Sequence, residues 1–398
     1  MVLAAGAGAL ANSPSAATPR AFSGNPVAGS QGFGIVVETD ASLVGTEAEG
    51  PAAIGGDLRV GPGYNVSLQS TGTFIAPGDN VPTSLLVNGA IDFAGSAPNG
   101  VLSVLGGGYV KVGDLSNANV ATTDQNGALV NTQVVPLGTG YNSAPRVEVT
   151  VQQRAASVGP AAGLINFPAL FAEYRHRADD MAECANTVIL LDPNGVPYPD
   201  QDDIPAGGIV QIALSTTETN VLHLVGEQLG NIAELRFLNQ PTSDGPLLIV
   251  VDTTATGGVF NWTTPNMSAL EKTSIGSILW DFPDATDITI ASGDTLEGTI
   301  FAPRAHLLDV DPSNTEGDII VRSLEEGTMN SEGEVTASSG EVHYFPFTAD
   351  IDCGDVSTVT PTSTTPSSQP STSRPPTSKP PTSKPPTSRP PTSASGTP

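Results

Sequence analysis

The sequence predicts a mostly β protein: a parallel β-solenoid (β-helix) with one flanking α-helix, followed by a disordered Pro/Ser/Thr-rich tail. Three observations carry this. Very short apolar pairs alternate with polar residues. Gly, Pro and Asn punctuate between the pairs. One stretch alone shows long helical spacing.

In chain order, residues 1–21 come first. Val2 to Leu10 is apolar, and Ala9-Leu10-Ala11 fits a small-x-small cleavage site. This reads as the remnant of a secretory signal peptide without its basic opening segment.

The folded region is expected over 22–355. Its first half carries Leu58/Val60, Val66/Leu68, Leu85/Val87, Ile91/Phe93, Leu102/Val104 and Val110/Val112. Each pair has a period of two, so one strand face is buried. Strands this short gain little from a single hairpin and become stable when stacked into a long ladder. A β-sandwich is the alternative, with longer strands.

The middle breaks this pattern. In "LINFPALFAEYRHRADDMAECANT", Phe167, Leu170, Phe171, Tyr174, Ala178 and Met181 fall at helical spacing, which predicts an amphipathic helix against the solenoid flank. Strand signals then return in "GIVQIALS", "NVLHLVGEQL" and "AELRFLNQ". The continuous apolar run "PLLIVVDT" predicts a strand covered on both faces. The tail, 356–398, repeats "SRPPT" and "SKPPT" every five residues. It cannot bury a core, and its proline pairs favour an extended spacer or stalk over a ligand for proline-binding modules.

Charge limits the partners. The 398 residues hold 41 Asp and Glu against 15 Lys and Arg, a formal net charge of −26. Coulomb repulsion from such a surface opposes nucleic acid and anionic membranes. No stretch reaches the length of a membrane helix. Two cysteines, Cys184 and Cys353, in an exported chain read as a disulfide candidate.

The stretch "TEAEGPAAIGGDL" (Thr46–Leu58) invites a chemical reading, but it has no lysine for a phosphate loop and no helix for a dinucleotide fingerprint. Turn geometry explains it better: Gly50, Gly55 and Gly56 permit positive φ and close backbone approach. In "DVDPSNTEGD", Asp309, Asp311, Asn314, Glu316 and Asp318 are oxygen ligands and weak calcium candidates. Ile320 stands where an EF-hand needs its bidentate Glu, so a solvated acidic loop is the competing reading. An internal isopeptide bond needs a lysine, and 22–355 offers only Lys111 and Lys272, neither within a supporting motif. No nucleophile elbow or His-Glu-x-x-His helix occurs.

"TEAEGPAAIGGDL", "LWDFPDATDITI", "LEGTIFAPRA", "TEGDIIVRSL" and "EVHYFPF" stand in an order that resembles choice-of-anchor A family proteins. The resemblance spans roughly Asn25 to Asp350. It implies an exported bacterial adhesive domain similar to β-solenoid adhesins and to ice-binding solenoids flanked by one long helix. It supplies no catalytic residue. It further implies a wall-attached protein whose anchor is not present in this chain.

Three functions follow as expectations. The first is a secreted or cell-surface adhesin, non-enzymatic and monomeric, binding an extracellular polymer or host matrix such as a glycan or collagen-like protein. It requires no cofactor, with calcium the one possible ion. The second is a polysaccharide-active β-helix enzyme, disfavoured by few basic residues. The third is an ice- or mineral-binding module, which predicts regular Thr-x-Thr rows; only "TDIT" approaches one.

Overall fold

The computed structural model describes residues 22–354. The leader remnant and the proline-rich tail lie outside the described residues. The described chain is mostly β, as expected, and most of its strand pairs are parallel.

One long ladder forms the first flank. Its spatial order is Tyr109–Val112, Thr83–Val87, Ala52–Ile54, Ile35–Val37, Ile319–Glu326, Thr299–Asp309, Ile278–Asp281, Leu247–Asp252 and Asn220–Val225. Every neighbour in it runs parallel. The order is not sequential. The first rungs stack outward from Ile35–Val37. The later rungs stack back until Ile319 pairs with Ile35. The sequence pattern predicted the rungs but not this central seam between the first and last of them.

The alternating pairs behave as their period requires. Leu58 and Val60, Leu102 and Val104, and Val110 and Val112 all point into the core. Ile91 makes only an isolated bridge to Leu58, and Phe93 lies half-buried outside any strand. In the Val66/Leu68 pair, Val66 is buried at a strand end while Leu68 is exposed. "PLLIVVDT" is covered on both sides, with Leu247, Ile249 and Val251 inside and Leu248 and Val250 beneath the helix.

That helix is Phe167–Ala182. The Asn166 side chain accepts from the Ala169 amide (3.2 Å) and caps its start, and Pro168 suits the first turn. Phe167, Phe171, Tyr174, Ala178 and Met181 are buried, four or three residues apart. They cover the outward residues Ala53, Val36, Ile320, Phe301 and Leu248. Tyr174 packs edge-on against both Phe171 and Phe301, with centroids 5.4 and 5.3 Å apart. Phe171→Ala should therefore destabilise the fold by about 4 kcal/mol, read as a shift in urea midpoint. A loss below about 1 kcal/mol would mean the helix is not part of the core.

Two short helices, Ala155–Val158 and Gly226–Asn231, accompany the long one, so the flanking helix is not alone. Cys184, just beyond the long helix, is joined to Cys353, with Cα atoms 5.3 Å apart. No described helix is long and apolar enough to cross a membrane.

Candidate binding face

A second face has no helix over it. It is built from Val259–Thr264, Asp287–Gly293, the later halves of Thr299–Asp309 and Ile319–Glu326, then Ala41–Leu43 and Leu58–Val60. All these pairs are parallel. Alternation sends Phe260, Trp262, Ile288, Ile290, Leu307, Leu324, Leu43 and Val60 inward. The residues between them face out.

The register aligns those outward residues. One row reads Asn261, Thr289, Leu308, Glu325, Ser42, Arg59. A parallel row begins Val259, Asp287, His306, Ser323. Neighbouring strands lie about 4.8 Å apart, so both rows repeat at that spacing.

Backbone-capping aspartates fix one end of the face. Asp40 Oδ1 accepts from the Asp57 amide (2.8 Å), and Asp57 Oδ1 accepts from the Ala90 amide one rung further (2.7 Å). Asp57 is the carboxylate of "GGDL", so that stretch turns the chain and also borders this face. Its three glycines are required by close approach rather than by positive φ. A Cβ on Gly55 would lie 2.0 Å from the Glu38 carbonyl oxygen, and one on Gly50 would lie 2.3 Å from the Tyr344 ring.

A shallow cavity of about 360 Å³ opens here, lined by Asp40, Ser42, Arg59, His306, Arg322 and Glu325 among others. Arg59 Nε donates to Asp92 Oδ2 (2.9 Å). Partial burial pushes the Asp92 carboxyl up, but the Gly95 amide and the Arg59 guanidinium outweigh it and hold the group below its usual range. His306 Nδ1 lies 2.9 Å from Ser323 Oγ. The concavity thus presents guanidinium, imidazole, carboxylate and hydroxyl groups together.

Buried acids lie just under this surface. Asp309 and Glu326 are neighbours in register and face inward. Burial pushes Asp309 up to about 7 and Glu326 to about 8. The Tyr64 hydroxyl donates to Glu326 Oε2.

The five calcium candidates are not brought together. Asp309 accepts from the Asp311 amide at 3.0 Å. Asn314 accepts from the Glu341 amide at 2.9 Å. Glu316 meets His343 Nδ1 at 3.0 Å. Asp318 accepts from the Phe347 amide at 3.0 Å beneath the helix-covered flank. Among the described residues, no group of three or more His, Cys, Asp or Glu is arranged to hold a metal ion. Sequence spacing put these oxygens close along the chain; the passage from one sheet to another between Asp309 and Ile319 then gave each a different partner.

Of the open face, the sequence singled out only "TDIT", which holds Asp287 and Thr289; the other residues were not marked. Their only signal is a position between two inward apolar residues, as with Arg59 between Leu58 and Val60. Lys111 between Val110 and Val112 gives the same signal, yet it is buried on the helix side.

Fold and face define a class: a parallel-β domain with one flank sealed by a helix and one ladder left open for contact. The chain belongs to the family described as "Putative Ice-binding-like adhesive domain", whose model matches residues 26–336. No curated protein matches the chain. Three solved structures are similar to it at low identity. The ice-binding protein LeIBP from an Arctic yeast is 11% identical, covering 81% of this chain and 92% of that one, with a TM-score of 0.23. An ice-binding protein of the Antarctic ascomycete Antarctomyces psychrotrophicus is 12% identical, covering 81% and 96%, with a TM-score of 0.20. One from an Antarctic Flavobacteriaceae bacterium is 11% identical, covering 79% and 78%, with a TM-score of 0.23. Superpositions this loose add nothing to the fold described above.

Proposed function

We propose that this chain is an extracellular adhesive domain that holds an extended, regularly spaced target against its open strand face, without catalysing a reaction. The carrying observation is the pair of aligned outward rows, one across six parallel strands and one across four, on a face that the long helix does not cover. We read the stacked ladders as a β-solenoid. Its rigidity fixes side chains at one repeat, so weak contacts add along a long ligand.

The target class we favour is a polysaccharide or matrix polymer, glycan before collagen-like protein. Arg59, Arg322, His306 and Glu325 give the concavity charged and hydrogen-bonding groups suited to a polar chain. The cell-surface display of choice-of-anchor A proteins belongs to the same proposal, with many copies raising avidity. The disulfide supports an oxidising, extracellular setting.

Ice is the second reading. The family description favours it, and so does the end of the face where Asn261, Thr263, Thr289 and Ser292 stand together. Thr263 Oγ1 and Ser292 Oγ are 3.0 Å apart.

One variant tests both. Ser42→Tyr places a ring in the row between Glu325 and Arg59 while changing stability by about 0.5 kcal/mol or less. The full chain should bind a polysaccharide array, and the variant should lose at least about tenfold, or about 1.4 kcal/mol. Recrystallisation inhibition without array binding would select ice. Binding that ignores both Ser42→Tyr and the bulky change Thr289→Tyr would remove the open face as the site.

A further inference from the structure

We propose that Lys111 and Asp79 join covalently as an internal isopeptide cross-link. Lys111 projects from Tyr109–Val112, the last rung at its end of the helix-covered ladder. In register it follows the apolar Val36, Ala53 and Leu86. Asp79 reaches it from the loop before Thr83–Val87. The Lys111 Nζ atom is in direct contact with Asp79 Oδ2, and the two side chains are only 5% and 4% exposed.

An ion pair this deep loses the hydration of both charges. Its compensation is thin: Asp79 Oδ2 has no hydrogen-bond partner beyond that contact, and the lysine's other partners are the oxygens of Ser157. An amide removes both charges at once. Amine and carboxyl are already held together, which supplies the proximity such a condensation needs.

The step balances without a co-reactant. Within the pair the Lys111 ammonium passes one proton to the Asp79 carboxylate, and the amine so freed attacks Cγ. A C–N bond forms, a C–O bond breaks and one water leaves. Ser157 Oγ sits between the partners, 2.7 Å from Asp79 Oδ1 and 3.2 Å from Lys111 Nζ, where it can relay the proton from nitrogen to the departing oxygen. Gln153 Nε2 donates to the same Oγ (3.1 Å) and holds it in place. A groove of about 480 Å³, lined by Asp79, Lys111 and Ser157, gives the water an exit.

Trypsin reads the bond directly. Between Arg59 and Arg146 the sequence has one tryptic site, Lys111. The reduced full chain should yield a peptide spanning 60–146, uncut at Lys111 and one water lighter than its sequence. Further chymotryptic cleavage at Phe93 should leave its pieces joined. Lys111→Arg keeps the charged contact, cannot condense, and should be cut at residue 111 with full mass. Recovery of most of the wild-type chain as a full-mass peptide ending at Lys111 would overturn the proposal and leave a buried ion pair.

Discussion

Between about pH 5 and pH 8, the folded unit should lose stability steadily as pH rises, by roughly 1.4 kcal/mol per pH unit for each fully coupled buried acid. Burial raises Asp309 to about 7, and Asp318 and Glu326 to about 8, from ordinary values of 3.8, 3.8 and 4.5. A raised carboxyl binds its proton more tightly when folded than when unfolded. The folded state therefore holds more protons across the window from the ordinary value to the raised one. Stability must fall with pH there, and it levels off above the raised values. His343 acts with the same sign. Partial burial lowers it, but its bonds to Glu316 and Glu341 raise it overall. Its contribution is full below the unfolded histidine value and is lost as pH climbs through the folded one. Asp92 is lowered instead and weakens the fold only on acidification below the ordinary carboxylate range. Urea titrations at several pH values measure the slope. Glu326→Gln should flatten it by about one proton. A stability that rises from pH 5 to 8 would contradict the burial account.

Cys353→Ser should destabilise the unit by about 5 kcal/mol in the chain-entropy model, because the bridge spans 169 residues. The bridge fastens the segment after the last strand to the end of the long helix. There, Cys353 also donates its amide to the Phe22 carbonyl (3.0 Å), and Ser23–Gly24 pairs with Ile351–Asp352. A loss well under about 1 kcal/mol would mean that this terminal pairing frays alone and the bridge restrains little else. Thermal unfolding with and without reductant, alongside the serine variant, separates the two outcomes.

The rungs were legible because short period-two pairs state their own inward face, as Leu102 and Val104 do. The helix was legible from Phe167, Phe171, Tyr174 and Met181, whose spacing admits only one stripe. The pairing order was not. Ile35 finds its neighbours at Ala52 and Ile319, and nothing local in "GIVVET" distinguishes a partner nearby from one at the far end of the chain. The binding face was illegible for the same reason. Ser42, Glu325 and Arg59 are ordinary surface residues until the register lines them up; only Thr289, in "TDIT", carried a signal of its own. The acidic loop misled in the opposite way, because Asp309, Glu316 and Asp318 are near in sequence but the chain leaves one sheet after Asp309, joins another at Thr315–Glu316 and returns to the first at Ile319.

The meeting of the first and last strands has a mechanical consequence. Ser23–Gly24 and Ile351–Asp352 lie side by side, so a tug between the two flanking stretches of chain enters and leaves at adjacent points. The load path is a few residues long. On one side it runs through Cys353 into the end of the helix at Cys184, bypassing the ladders. The strands that carry the open face then hang beside the line of tension rather than within it. They move with the domain without being stretched, and the first thing to give is a two-residue pairing that can re-form when the pull relaxes.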